Sequence, residues 1–111
     1  MPQTPAHHCV PCEGGVPALT PAQAQQRMSS LAARWALVED NHALAADFEF
    51  NNYFRTLAFV NAVAYVAINE DHHPDISFGY RSAHIRYATH AVGGLSDNDF
   101  ICAAKIDDLL N

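Results

Sequence analysis

Hydrophobic and polar positions change their period several times along this chain, and each change marks an element. From Asn52 to about Asn69 there is no Gly or Pro, and Phe54, Leu57, Ala58, Val60, Val63, Ala64, Ala67 and Ile68 form a dense apolar set at helical spacing. That pattern predicts one long helix suited to covering a sheet. Trp35-Ala36-Leu37-Val38 reads as a strand, Glu39-Asp40-Asn41-His42 as a turn, and Ala43 to Phe50 as a second strand, which together make a hairpin. Ile76 to Phe78 predicts a short strand and Ala83 to Val92 a longer one, with Ile85, Tyr87 and Thr89 opposing His84, Arg86, Ala88 and His90.

Two helix starts are written in capping chemistry. Thr20-Pro21-Ala22-Gln23 combines a cap hydroxyl, a proline at the first helical position and a glutamine three residues after the cap, so a short helix is expected to about Ala33. Gly93-Gly94 breaks the last strand, and Ser96-Asp97-Asn98-Asp99 opens a final helix with acidic residues at the positive end of its dipole. That helix closes at Asp107-Asp108-Leu109-Leu110. The order α-β-β-α-β-β-α predicts an α+β fold: a four-stranded antiparallel sheet with three helices packed on one face.

With 111 residues, half of them hydrophobic, the chain suffices for one core and not two. Residues 1–19 carry four prolines and Gly14-Gly15 and are expected to form an irregular N-terminal arm, with a single domain over 20–111. A net charge of −6 with only six Lys and Arg argues against direct nucleic-acid binding. No apolar run approaches the length of a membrane span, and Met1-Pro2-Gln3-Thr4-Pro5 lacks the basic and hydrophobic regions of a signal peptide, so a cytoplasmic protein is expected.

Three cysteines are too few for a disulfide framework. Cys9-Val10-Pro11-Cys12, preceded by His7 and His8, has redox or metal spacing but lacks a second ligand pair, which favours an arm that binds metal only adventitiously. Cys102, among Ile101, Ala103 and Ala104, is expected as a buried small hydrophobe.

The chemistry concentrates in Glu70-Asp71-His72-His73-Pro74 and Thr89-His90. Imidazole is the side chain best suited to moving protons near neutral pH. Adjacent histidines cannot share one face of a regular element, and Pro74 stops a helix and pushes His73 toward extended backbone. The pair therefore belongs at an element boundary. His42 and His84 are expected to be solvated or structural.

Arg34-Trp35, Phe48-Glu49-Phe50, Tyr53-Phe54-Arg55-Thr56-Leu57-Ala58-Phe59, His72-His73-Pro74, Thr89-His90, Gly94-Leu95-Ser96 and Asp99, in that order, resemble the pterin-4a-carbinolamine dehydratase family over roughly residues 20–110. The resemblance implies dehydration of 4a-hydroxytetrahydropterin to quinonoid dihydropterin, in pterin recycling after aromatic amino acid hydroxylation, with no metal or organic cofactor. It implies a catalytic set of His72, His73 and His90, with His72 and His90 as the proton-transfer pair and His73 positioning the pterin. Glu70, Asp71, Pro74, Trp35 and Asp99 are the candidate substrate-binding residues. Asp99 either orients a histidine or only stabilises the last helix from its first turn, and the structural role alone needs no further explanation.

One position departs from the family pattern. Members commonly carry an ionisable residue four positions before the first paired histidine, and here it is Ile68. Glu70 and Asp71 are close in sequence but point elsewhere around a helix. A zinc centre built from the three histidines is the rival chemistry. The rival class of function is a dehydratase-like binding protein, since relatives serve as dimerisation cofactors for transcription factors and as RuBisCO assembly factors in carboxysome operons. The implied partners are the pterin, an aromatic amino acid hydroxylase or RuBisCO, and further copies of the chain as a homodimer or homotetramer, because a small sheet leaves unpaired edges.

Overall fold

The computed structural model describes residues 8–10 and 17–110. The expected α-β-β-α-β-β-α order is what the chain adopts: α1 (Pro21–Arg27), β1 (Trp35–Val38), β2 (Ala43–Glu49), α2 (Tyr53–Glu70), β3 (Asp75–Phe78), β4 (Ser82–Tyr87) and α3 (Asp97–Leu109). The four strands form one antiparallel sheet in the order β1-β2-β4-β3.

Cross-strand register explains which residues reach the core. Leu44 pairs with Tyr87, Ala46 with Ile85 and Phe48 with Ala83, so these six share one face, and all are buried. They meet Phe59, Val60 and Val63 of α2 and Phe100, Cys102, Ala103 and Ile106 of α3 in a single cluster. Phe48 and Phe59 pack with ring centroids 4.6 Å apart, a contact worth about 1 kcal/mol beyond the area it buries. The alternate positions carry charge: His84 pairs with Asp47 at 2.7 Å, and Arg86 bridges Glu39 and Asp75. Period-two alternation along β4 and from Ala46 onward in β2 is thus realised as a charged face and a helix-covered face, while Ala43 and Ala45 are buried as well.

The hairpin turn holds Glu39, Asp40 and Asn41 at φ 54, 58 and 66, left-handed backbone that Asp and Asn tolerate best. The first helix is shorter than the expected run to Ala33. It ends at Arg27 and tightens into a 3₁₀ turn over Met28–Ser30, where the hydroxyls of Ser29 and Ser30 donate to the carbonyls of Gln26 and Arg27. Such local bonds compete with helix propagation. The fourth strand is also shorter than expected, stopping at Tyr87 rather than Val92.

The reason lies in the Gly pair. Thr89 and Gly94 exchange backbone bonds, Thr89 N–H to Gly94 O at 2.7 Å and Gly94 N–H to Thr89 O at 3.4 Å, pinching His90–Val92 into a 3₁₀ turn closed by left-handed Gly93 at φ 70. A Cβ on Gly94 would sit 3.0 Å from the Ala18 side chain, so only glycine fits without displacement. His90 therefore leaves the sheet and stands on a loop. No described helix is long and apolar enough to cross a membrane.

Candidate functional site

The site is assembled where α2 ends, β4 ends and α3 begins. Asn52 caps α2 at its start by accepting the Arg55 N–H at 2.9 Å. After eighteen helical residues the helix stops at Asp71, which takes the left-handed conformation at φ 52 while its N–H and that of His72 still bond back into the last turn. This reversal separates the adjacent histidines. His72 turns inward, its side chain 12 % exposed, and His73 turns outward, 69 % exposed.

His72 is held from two sides. Its ring stacks parallel to Tyr87 at a centroid distance of 5.6 Å, and its Nε2 lies 2.7 Å from Asp99 Oδ1. Asp99 is fully buried at the third position of α3, and its other oxygen accepts from Thr89 Oγ1 at 2.7 Å and from the Ser96 N–H at 3.0 Å. The carboxylate has three donors and no contact with water, which fixes Nε2–H as the donor toward it. Nδ1 is then the ring atom left for proton exchange. Burial alone would lower the His72 pKa, but the hydrogen bond and charge of Asp99 outweigh it and raise the pKa above the ordinary imidazole value.

A cavity of about 610 Å³ opens beside this pair. Its walls include Glu70, Asp71, His72, His73, Thr89 and His90, with Cys9, Val10 and Asn98 closing one side. The three histidines expected to act together are thus brought to one cavity, from the end of α2 and from the loop after β4. Asp71 points to solvent near His73, a 3.8 Å pair too exposed to hold much. Glu70 is buried, and its carboxylate accepts the Cys9 N–H and binds His8 Nδ1, each at 2.7 Å, with Lys105 Nζ 3.8 Å away. Burial works to raise its pKa, yet these partners together hold it below the usual carboxylate value.

Three of the expected site residues lie elsewhere. Trp35 is buried in the core, edge-on to Phe48 at 5.9 Å, with Nε1–H donated to Asp107 at 2.9 Å. Pro74 follows the histidines but is not a wall residue, and Asp99 stands behind His72 and does not face the cavity. Asp99 does both jobs considered for it, bonding His72 and closing the first turn of α3. Ile68 is 75 % exposed on α2 and is not among the cavity walls. His84 and His42 lie outside the walls too, His84 on the charged sheet face and His42 bonded to the carbonyls of its own turn.

Sequence reasoning missed the arm. Cys9 and Val10 have the irregular backbone expected of them, but their docking on α2 and α3, where they complete the cavity wall, was not foreseen. The signal available was weak: nothing in Cys9-Val10 names Glu70 or Asn98 as partners. His7 and Cys12, the other candidates for a metal or redox role, lie outside the described residues. Among the described residues no group of three His, Cys, Asp or Glu side chains converges as a metal-ligand set.

Comparison with known proteins places these features in a wider group. The model of the family described as Pterin 4 alpha carbinolamine dehydratase matches residues 17–109. A protein of Nitrosomonas eutropha named "Putative pterin-4-alpha-carbinolamine dehydratase" is 52% identical over 102 residues, covering 92% of this chain and 88% of its own. One of the same name from Legionella pneumophila (strain Lens) is 48% identical over 103 residues, covering 93% and 91%. Among solved structures, a transcriptional coactivator/pterin dehydratase from Brucella melitensis superposes with a TM-score of 0.79 at 24% identity over 85% of this chain and 99% of its own. A pterin dehydratase-like protein described as a RuBisCO assembly factor in the alpha-carboxysome superposes with a TM-score of 0.60 at 26% identity, over 68% and 87%.

Proposed function

Because the chain belongs to the pterin-4a-carbinolamine dehydratase family, we propose that it dehydrates 4a-hydroxytetrahydropterin to quinonoid dihydropterin by histidine acid–base catalysis, recycling tetrahydropterin in the cytoplasm. The observation that carries this reading is the His72–Asp99 pair, 2.7 Å apart, at the wall of a cavity shared with His73 and His90. Loss of water needs a proton delivered to the departing C4a hydroxyl and a proton removed from a ring nitrogen. His72, its pKa raised by Asp99, is suited to donate the first from Nδ1, and His90 is assigned the second. His73, largely exposed, positions the pterin.

The chemistry assigned to these residues requires no metal or organic cofactor. Ile68 is exposed and is not a wall residue of the cavity, and the wall keeps Asp71 as an open carboxylate. Glu70 serves the arm, with its oxygens already engaged by His8 and Cys9. The test is the rate at which purified, chelator-treated protein dehydrates freshly generated 4a-hydroxytetrahydropterin, beside a His90→Ala control. Acceleration that disappears in the control is expected.

A folded protein giving no acceleration would favour the second reading, a dehydratase-like binding protein of the RuBisCO-assembly or transcriptional-coactivator type. What favours it is likeness to the assembly factor, whereas an exposed apolar stripe on α2 comprising Phe54, Tyr65 and Ile68 does not separate the two. Under either reading the stripe is assigned to self-association into a dimer or tetramer. An aromatic amino acid hydroxylase is the functional partner under the first reading and RuBisCO under the second.

A further inference from the structure

Acid–base catalysis leaves two sulfurs without a task. Cys9 and Cys102 are 93 residues apart in sequence, yet their Sγ atoms lie 3.4 Å apart. The approach is built by contacts on both sides of Cys9. Its own N–H is held by Glu70 at 2.7 Å, and Val10 is clamped by Asn98, which accepts the Val10 N–H at 3.0 Å and donates to the Val10 carbonyl at 2.6 Å. Cys9 is half-buried at the cavity wall, while Cys102 lies buried beneath it on α3.

We propose that Cys9 and Cys102 form a redox pair that closes to an intramolecular disulfide under peroxide and thereby locks residues 8–10 onto the cavity wall. The balance is simple. One sulfur, as thiolate, attacks hydrogen peroxide, breaking the O–O bond to give a sulfenic acid and hydroxide. The other sulfur attacks the sulfenic sulfur, the S–S bond forms as the S–O bond breaks, and a second hydroxide leaves. The two thiol protons convert both hydroxides to water, so two thiols and one peroxide become one disulfide and two waters.

The contact between the two sulfurs, in which either can donate, holds the Cys102 thiol below its ordinary pKa against the effect of burial, with the charge of His72 assisting, while the same contact and burial push Cys9 up. Bond formation at about 2.05 Å requires the sulfurs to close by roughly 1.4 Å. The short arm segment can supply that movement more easily than α3, whose Cys102 face is packed in the core. In a reducing compartment such a bond is transient, which suits a reversible lock.

The test uses the full chain, reduced and then treated with equimolar hydrogen peroxide, with thiol counting, intact mass and non-reducing peptide mapping. The expected product is a monomer that has lost two hydrogens, carries a Cys9–Cys102 linked peptide and returns to the dithiol with dithiothreitol. Cys12→Ser is expected to behave the same, and Cys9→Ser to give no intramolecular link. Amide hydrogen exchange at Cys9 and Val10 should slow at least tenfold in the oxidised wild type. A Cys9–Cys12 link, a disulfide between chains, a sulfinic acid without a link, intact thiols or unchanged exchange would each overturn the proposal. None of these readouts involves pterin turnover, so this inference and the dehydratase reading fail separately.

Discussion

His72 Nε2 and Asp99 Oδ1 lie 2.7 Å apart although the residues are separated by 27 positions, His72 just beyond the end of α2 and Asp99 in the first turn of α3. Asp99 has no contact with solvent and His72 very little. A buried carboxylate with three donors is satisfied, but its loss strands all three. Asp99→Ala is expected to cost about 3 kcal/mol in denaturant unfolding. Asp99→Asn, nearly isosteric, is expected to drop the His72 titration midpoint seen by NMR, because burial is then opposed only by the smaller effects of Cys102 and Asp71. A His72 midpoint that does not move would break the link between the two residues.

The raised His72 pKa also sets a pH dependence of stability. A histidine whose native pKa exceeds its unfolded value, about 6.5, adds stability in full below that value. The contribution fades as pH rises through the native value. The unfolding free-energy difference between wild type and His72→Gln is therefore expected to be largest near pH 5.5 to 6 and to shrink on the alkaline side, as an order-of-magnitude window. Urea titrations across that range check it, and a difference independent of pH would contradict it.

His73 and His90 are exposed, so they separate chemistry from folding. Under the dehydratase reading, His90→Ala is expected to cut the dehydration rate by about 10²-fold or more while changing stability by less than about 0.5 kcal/mol. His73→Ala is expected to act more on KM than on kcat, as fits a positioning residue. Steady-state kinetics with a thermal melt on the same preparations decides both.

Glu70 holds the arm by a charge-assisted bond to the Cys9 N–H. Glu70→Gln keeps the shape and removes the charge, and such bonds are worth about 1.5–3 kcal/mol. Exchange of the Cys9 amide is expected to accelerate by about 10- to 100-fold, with the core amides of β2 and β4 unaffected. Equal acceleration throughout the molecule would mean global destabilisation instead.

Phe54 and Tyr65, 84 % and 68 % exposed, lie eleven residues or three turns apart on one side of α2. If that face joins copies of the chain, Phe54→Glu with Tyr65→Glu should reduce the mass measured by light scattering at micromolar concentration while leaving the far-ultraviolet dichroism intact. A wild-type monomer would remove the basis for the experiment.

Much of this fold could be read from local pattern because its causes are local. The Thr20-Pro21-Ala22-Gln23 cap is a full reciprocal cap in the structure, α2 runs within a residue of its expected ends, and alternation in β4 does select the buried face, whereas β2 is buried throughout Ala43–Ala46. The His72-His73-Pro74 boundary was legible for the same reason, since neighbouring residues cannot share a face. Where β4 ends was less legible, because its cause is a bridge between Thr89 and Gly94 that folds back against Ala18.

The sequence by itself determined the element order and the sheet-and-helix layering through periodicity and capping, and its resemblance to a family singled out the three imidazoles that reach one cavity. Tertiary structure alone decided that Asp99 stands behind His72, that neither Trp35 nor Ile68 is a wall residue of the cavity, and that Cys9 docks against Cys102. Those facts depend on how α2, α3 and the arm meet across dozens of residues. Short-range propensity and periodicity carry no information about which distant side chains a packed interface brings within 3 or 4 Å.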